Sequence, residues 1–220
     1  MIHLSVDVEP DFPPYINTLK GIDGLRRITT LLKDRDSDAT FFVTAEVIAK
    51  KPGIANLIKD FEVGCHGLRH IDYTQIPLQE FERELSKAVR IMNSHGLKPT
   101  GFRAPYAKIN GGMLQVVGKY FMYDSSKPFY KARFMDVEEI PIYTGGRVFG
   151  VHPVLFDLLL KVPLENKVFF IHPWEYGGLD FSEVMSRRRN LRFLGYSREN
   201  YLTNLVRILV EGSRRLSDLI

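Results

Sequence analysis

Only one cysteine and one tryptophan occur in 220 residues. The lone Cys65 cannot close an intramolecular disulfide, so nothing in the chain calls for an oxidising compartment. Long apolar runs are missing too. The longest, residues 151–160, is interrupted by His152, Pro153 and Asp157 and falls far short of the ~20 apolar residues of a membrane span. The opening MIHLSVDVEP meets acidic side chains early and has neither the basic start nor the apolar centre of an export signal, so a cytoplasmic location is expected. Charge of one sign is scarce: 30 Lys plus Arg stand against 26 Asp plus Glu, a net +4. The one dense basic run, Arg187, Arg188, Arg189 and Arg192, lacks interleaved stacking aromatics, so no nucleic-acid partner is expected. Internal repeats, low-complexity tracts and heptads are also absent. What remains is 45% hydrophobic and 25% charged residues with no visible linker, which predicts one domain over residues 1–220 around a large core.

Short apolar runs alternate with helical periodicity from end to end, the pattern of parallel strands with helices packed outside them. Strands are expected at 2–8, 39–43, 61–65, 100–103, 120–123, 138–142 and 168–171. Helices are expected at 17–33, at 46–59 with a break at Pro52-Gly53, at 78–94, at 109–117 and at 198–211. In the 78–94 segment Leu78, Phe81, Leu85, Val89 and Met92 step by three or four and Gly96 follows as a stop. About seven such units predict an irregular (β/α) barrel, smaller than the ~250 residues of the eight-fold form, with its chemistry at the carboxyl ends of the strands.

Five polar clusters fall at those ends. Asp7 and Glu9 close the first strand, and a period of two puts both on one face, although a solvated turn before Pro10 would also suit them. His66 and His70, after a strand ending in Gly64-Cys65, are four apart, which on one turn of helix-like chain would aim two imidazoles at one metal ion. A zincin would have a Glu after its first His, whereas Gly67 stands here, so a base must come from elsewhere. Arg103 is a permanent cation able to grip a carboxylate with two bonds. Pro105 stiffens the turn after it, which could aim the Tyr106 N–H at a developing oxyanion. Asp124 ends another strand, where a turn cap is the competing reading. His172 leaves an apolar strand beside Trp174, placed for acid-base work or simply for packing.

The elements SVDVE, ATFFV, GCHGLRH, GFRAPY, YDSS and IHPWE, in that order over residues 2–176, resemble the successive motifs of the polysaccharide deacetylases, the NodB-homology or carbohydrate esterase family 4 proteins. The resemblance implies a distorted TIM-type barrel and hydrolysis of an N-acetyl group on an amino sugar. It implies Asp7 as general base, Glu9, His66 and His70 as ligands of a divalent metal such as zinc, and His172 as general acid. Arg103 would orient Asp7, Asp124 would tune His172 or pair with Arg103, Tyr106 would supply an oxyanion N–H behind Pro105, and Trp174 would wall the acetyl methyl.

The family's first motif has adjacent aspartates, whereas here Val8 separates the pair and the second member is Glu9. The spacer restores same-face geometry, and Asp11 is a reserve ligand that Pro10 should turn away. The DVE and HPWE variants look more like a subgroup that includes metal-independent hydrolases of cyclic ureides. Hydrolysis of a cyclic imide or ureide is therefore one alternative, and a non-catalytic carbohydrate-binding protein a second. Loops at 127–137, 143–164 and 176–196 are expected to rim the mouth, with Lys127, Arg133 and the 187–192 run favouring an anionic, nucleotide- or lipid-phosphate-linked sugar. His152 is expected to be structural or exposed, and His3 and His95 lie outside the site.

Overall fold

The computed structural model describes residues 1–11, 16, 18–129, 137–177, 179–180 and 195–220. Its spine is a curled parallel sheet. Strand β1 (Ile2–Val8) lies centrally, followed in sequence by β2 (Thr40–Val43), β3 (Glu62–Cys65), β4 (Gly101–Phe102), β5 (Tyr123–Asp124), β6 (Glu138–Glu139), β7 (Thr144–Gly145), β8 (Lys167–Ile171) and β9 (Ser213–Arg214). The order across the sheet is β6-β5-β4-β3-β2-β1-β8-β7, with β9 added beside β1. Among the described residues no ladder joins β6 to β7, so the sheet forms a half-barrel. Helices α1 (Asp23–Asp34), α2 (Ala45–Lys50), α3 (Ile54–Ile58), α4 (Leu78–Ser94), α5 (Gly111–Val117), α6 (Pro153–Leu160) and α7 (Arg198–Glu211) complete the fold. The break expected at Pro52-Gly53 separates α2 from α3.

Strand alternation divides the side chains between two cores. Leu4, Val6, Val8, Phe41, Val43, Val63, Cys65, Phe102, Phe169 and Ile171 point outward into the main core beneath the helices. Their neighbours Phe42, Tyr123 and Val168 point into the barrel, where Ile140 and Leu216 join them. The interior is narrow, and glycine makes room for it: a Cβ at Gly101 would lie 2.1 Å from the Tyr123 ring. Glu62 sits inside near the amino ends of the strands, accepting from Thr40 Oγ1 at 2.5 Å, Thr100 Oγ1 at 2.8 Å and Tyr123 OH at 3.0 Å.

Three expectations need correcting. Residues 143–164 are not simply a rim loop: they hold β7, a 3-10 turn at Gly146–Gly150 and α6. Helix α6 shows no polar stripe to betray its period, and Val154, Leu155 and Leu158 remain exposed on it. The strand expected at 120–123 begins only at Tyr123, because Lys119, Tyr120 and Phe121 donate back to α5 carbonyls. Finally, the chain beyond α7 returns to the sheet. Strand β9 pairs with Ile2 and His3, and Leu216 enters the barrel interior with its N–H on Thr40 Oγ1 at 2.8 Å.

Candidate active site

The functional side chains follow the strands by a single residue. Glu9 comes after β1, His66 after β3, Arg103 after β4 and His172 after β8, each keeping the inward direction set by strand parity. Together with Asp7, His70, Ala104, Tyr106, Ile142, Gly146, Arg147, Phe170 and Trp174 they line a cavity of about 510 Å³. Another hollow, of about 1300 Å³, opens at the opposite, amino-terminal end of the strands and holds none of them.

Ser5, Asp7 and Glu9 share the inward face of β1, as the period of two requires. Arg103 donates to Asp7 Oδ1 at 2.8 Å, to Ser5 Oγ at 2.7 Å, to Ser125 O at 2.8 Å and to Ser125 Oγ at 2.9 Å. Its guanidinium lies 4.3 Å from the Phe42 ring centroid and 5.7 Å from that of Phe170. The cation is 1% exposed and Asp7 5%, so the pair is desolvated and its geometry is fixed by partners on three strands.

His66 and His70 meet, but not on a helical turn. Gly67 adopts φ +81°, and a Cβ there would strike the Tyr73 ring at 2.7 Å. The loop is held by Tyr73 OH, which accepts from the N–H groups of Leu68 and Arg69 at 3.0 Å each and donates to Glu84 at 3.1 Å. Glu9 Oε2 then lies 3.2 Å from His66 Nε2 and 2.6 Å from His70 Nε2. All three ligand atoms fall within 4.8 Å of one another.

That donor set fits a metal. The carbonyl of Arg103 can only accept, so His66 Nδ1, 2.8 Å away, carries the ring proton and Nε2 offers a lone pair toward Glu9. In neutral His66 this leaves acceptor facing acceptor, an arrangement that a cation between them resolves. Two imidazoles and one carboxylate match a catalytic zinc set with an open position, and the Arg103 carbonyl is the outer partner that orients the first imidazole. His70 Nδ1 is buried without such a partner among the described residues. Burial alone would raise the Glu9 carboxyl pKa, but the nearby His172 and His70 charges hold it far below the usual carboxylate range. Asp11 is not a ligand: its carboxylate accepts from Gly21 N–H at 2.9 Å and Thr18 Oγ1 at 2.6 Å.

Tyr106 and Ala107 both take left-handed backbone, φ 59° and 55°, in the turn led by the buried Pro105. Such strain in two successive non-glycine residues is concentrated where function needs it, and the Tyr106 ring meets His70 edge-on at 4.4 Å between centroids. Across the cavity the His172 imidazole stacks on Trp174 at 4.9 Å and 18°. Its Nε2 lies 3.6 Å from Glu9 and its Nδ1 3.4 Å from Glu175. Burial would lower the His172 pKa, yet the Glu9 and Glu175 carboxylates override it and raise the value to about 9.

The family model for polysaccharide deacetylases matches residues 4–123, more than half of the sequence. The chain belongs to the polysaccharide deacetylase family. No curated protein matches. Among solved structures, a family 4 carbohydrate esterase pseudoenzyme from Bacillus anthracis superposes with a TM-score of 0.67 at 17% identity, over 100% of this chain and 64% of that one. The chain thus spans under two thirds of that protein's length. A family 4 carbohydrate esterase from Streptomyces lividans, in complex with acetate, gives 0.59 at 18% identity over 94% and 85% of the two chains. The peptidoglycan deacetylase PdaC of Bacillus subtilis gives 0.61 at 16% over 100% and 89%. At such identities the likeness concerns the fold alone.

Asp124 is not brought to this site in the way expected. Tyr123 points into the barrel, so its strand neighbour Asp124 points out. There it accepts from Ser126 N–H at 3.0 Å and Ser126 Oγ at 2.6 Å, while Ser125 is the residue that reaches Arg103. Burial, opposed by the Ser126 bonds, raises the Asp124 pKa to about 7. The partner of His172 is instead Glu175, whose carboxylate also accepts the His172 backbone N–H at 2.9 Å. The signal was present in the sequence: a Pro and then an acid three residues after a strand-end residue form a helix-start pattern, here closed by histidine. Ser5, two before Asp7, was legible by parity alone. Of the other histidines, His152 caps α6, accepting from Val154 N–H at 3.3 Å. His3 lies at the far end of the barrel beside Arg215 O, and His95 turns back to Ile91 O.

Proposed function

We propose that this chain removes an N-acetyl group from an amino sugar. The observation that carries the reading is one cavity onto which an Arg-held carboxylate, a His-His-carboxylate set and a histidine set between two carboxylates all open. Glu9, His66 and His70 would hold a divalent cation, zinc by the donor set; when bound, it polarises the acyl carbonyl and acidifies water. Arg103 occupies one oxygen of Asp7 and leaves the other to take a proton from the attacking water. The N–H of Tyr106, presented by the left-handed turn, stabilises the negative charge that develops on the carbonyl oxygen. As the C–N bond breaks, His172 protonates the departing amine, so water is consumed and acetate and a free amine are formed. Trp174 and Phe170 supply the apolar wall.

The test is acetate release from chito-oligosaccharides and N-acetylglucosamine conjugates, with cyclic imides as a parallel series, before and after chelation and zinc restoration. Asp7→Asn is expected to lower the rate by about 10²–10⁴, the range of acid-base contributions. Full activity of Asp7→Asn would overturn the assignment. Chelator-resistant turnover of imides alone would replace it with the cyclic-amide alternative.

A further inference from the structure

The family's chemistry leaves one charged residue of the cavity unused. Arg147 lies on its wall, in the 3-10 turn that begins at Gly146. That glycine has φ +52°, and a Cβ on it would sit 3.5 Å from both His172 Cε1 and Glu175 Oε1. Arg147 is thus delivered beside the proposed general acid by a turn packed directly on it. The charges of the cavity are otherwise matched. Asp7 is paired with Arg103 at 2.8 Å, and Glu9 faces His66, His70 and His172. Arg147 is exposed, and among the described residues it has no hydrogen bond or ion pair. The other cations expected to favour an anionic substrate do not compete. Lys127 is tied to the buried Glu139 at 2.5 Å, and Arg133 and the 187–192 run lie outside the described residues.

We propose that Arg147 is a specificity-determining residue that binds an oxyanion, phosphate or carboxylate, carried by the sugar whose acetamide enters the site. A guanidinium offers a planar two-bond fork to either group and stays charged at every physiological pH. Exposed on the cavity wall and without a bond to Asp7, it can select among substrates without disturbing the base. The inference rests on the deacetylase reading for the kind of sugar, but not for the binding of the anion.

Calorimetric titration tests it, with N-acetylglucosamine as the neutral probe, N-acetylglucosamine 1-phosphate as the phosphate probe and N-acetylmuramic acid as the carboxylate probe. One anionic sugar is expected to bind about 10-fold or more tightly than the neutral one, the range for a charge-assisted hydrogen bond. Arg147→Gln should collapse that ratio, Arg147→Lys should keep part of it, and added salt should shrink it in the unmodified protein. The anion preferred tells phosphate-linked from carboxylate-bearing sugars. A ratio near one in the unmodified protein, or a preference that survives Arg147→Gln, overturns the proposal. Acetate release from the same three sugars separates the two readings. A preference lost in Arg147→Gln without any release upholds the anion site and sinks deacetylation, whereas release with no anion preference does the reverse.

Discussion

Arg103→Met is the perturbation that asks most of the structure. Methionine roughly keeps the length and apolar stem of the side chain but removes four hydrogen bonds, to Asp7, Ser5 and twice to Ser125. The Ser5 hydroxyl loses a donor but still donates to Phe169 O at 3.0 Å; the Asp7 carboxylate is left charged in a site 5% exposed. Removing one partner of a buried ion pair costs about 3–5 kcal/mol, a large part of a typical net stability of about 5–15 kcal/mol. Asp7→Asn in turn leaves the Arg103 cation, 1% exposed, without its counter-charge, and should cost about as much. Because the double variant holds no uncompensated charge, it should be about 2–3 kcal/mol more stable than the sum of the single losses. Urea unfolding of the four proteins at pH 7 gives the coupling directly, provided the slopes agree. Additivity within about 0.5 kcal/mol, or a loss below about 1 kcal/mol for Arg103→Met, would refute the claim that Arg103 is held for the sake of Asp7.

Metal loading gives a second check: zinc at 1,000 times its dissociation constant should stabilise the stripped protein by about 4 kcal/mol. Glu9→Gln or His70→Ala should abolish that gain in a thermal melt, and an undiminished gain in both would place the metal elsewhere. Asp124 gives a third check. Burial raises its pKa to about 7, against ~3.9 in an unfolded chain. Between those values the folded state holds the extra proton, so stability should fall as pH rises from about 4 to about 7 and stay reduced above it. The full difference is up to about 4 kcal/mol, and Asp124→Asn should remove that part of the slope while acetate release persists. An unchanged pH–stability curve, or an inactive but folded variant, would contradict a structural role.

The parts of the site that could be read from sequence were those governed by strand period. Asp7 and Glu9 share a face because they are two positions apart on a straight strand, and His66, Arg103 and His172 were found because each is the first polar residue after an apolar strand end. Asp124 fails by the same rule. Its parity relative to Tyr123 puts it outside, but a two-residue strand offers no pattern from which to tell which neighbour faces in. The meeting of His66 and His70 was foreseen for the wrong reason. A spacing of four suggests a helical turn, whereas the structure uses a left-handed Gly67 and the Tyr73 hydroxyl, neither of which a spacing rule detects.

What sequence did not disclose is how the barrel is filled beneath the site. Leu216 occupies the interior with Phe42, Tyr123, Ile140 and Val168, and Ser217 N–H donates to Glu62 at 3.1 Å. The segment following α7 thus completes both the apolar packing and the hydrogen-bonding of a buried carboxylate. No local pattern could announce this, because the pairing of β9 with β1 spans more than 200 residues and involves only two residues of each strand. The consequence reaches the chemistry. Phe42 packs against Tyr123 on one side and carries the Arg103 guanidinium at 4.3 Å on the other. The carboxy-terminal turn therefore supports the floor on which the Arg103–Asp7 pair rests. Arg103 is held in register by packing that begins at the far end of the chain, which is why a site legible residue by residue depends on a core that was not.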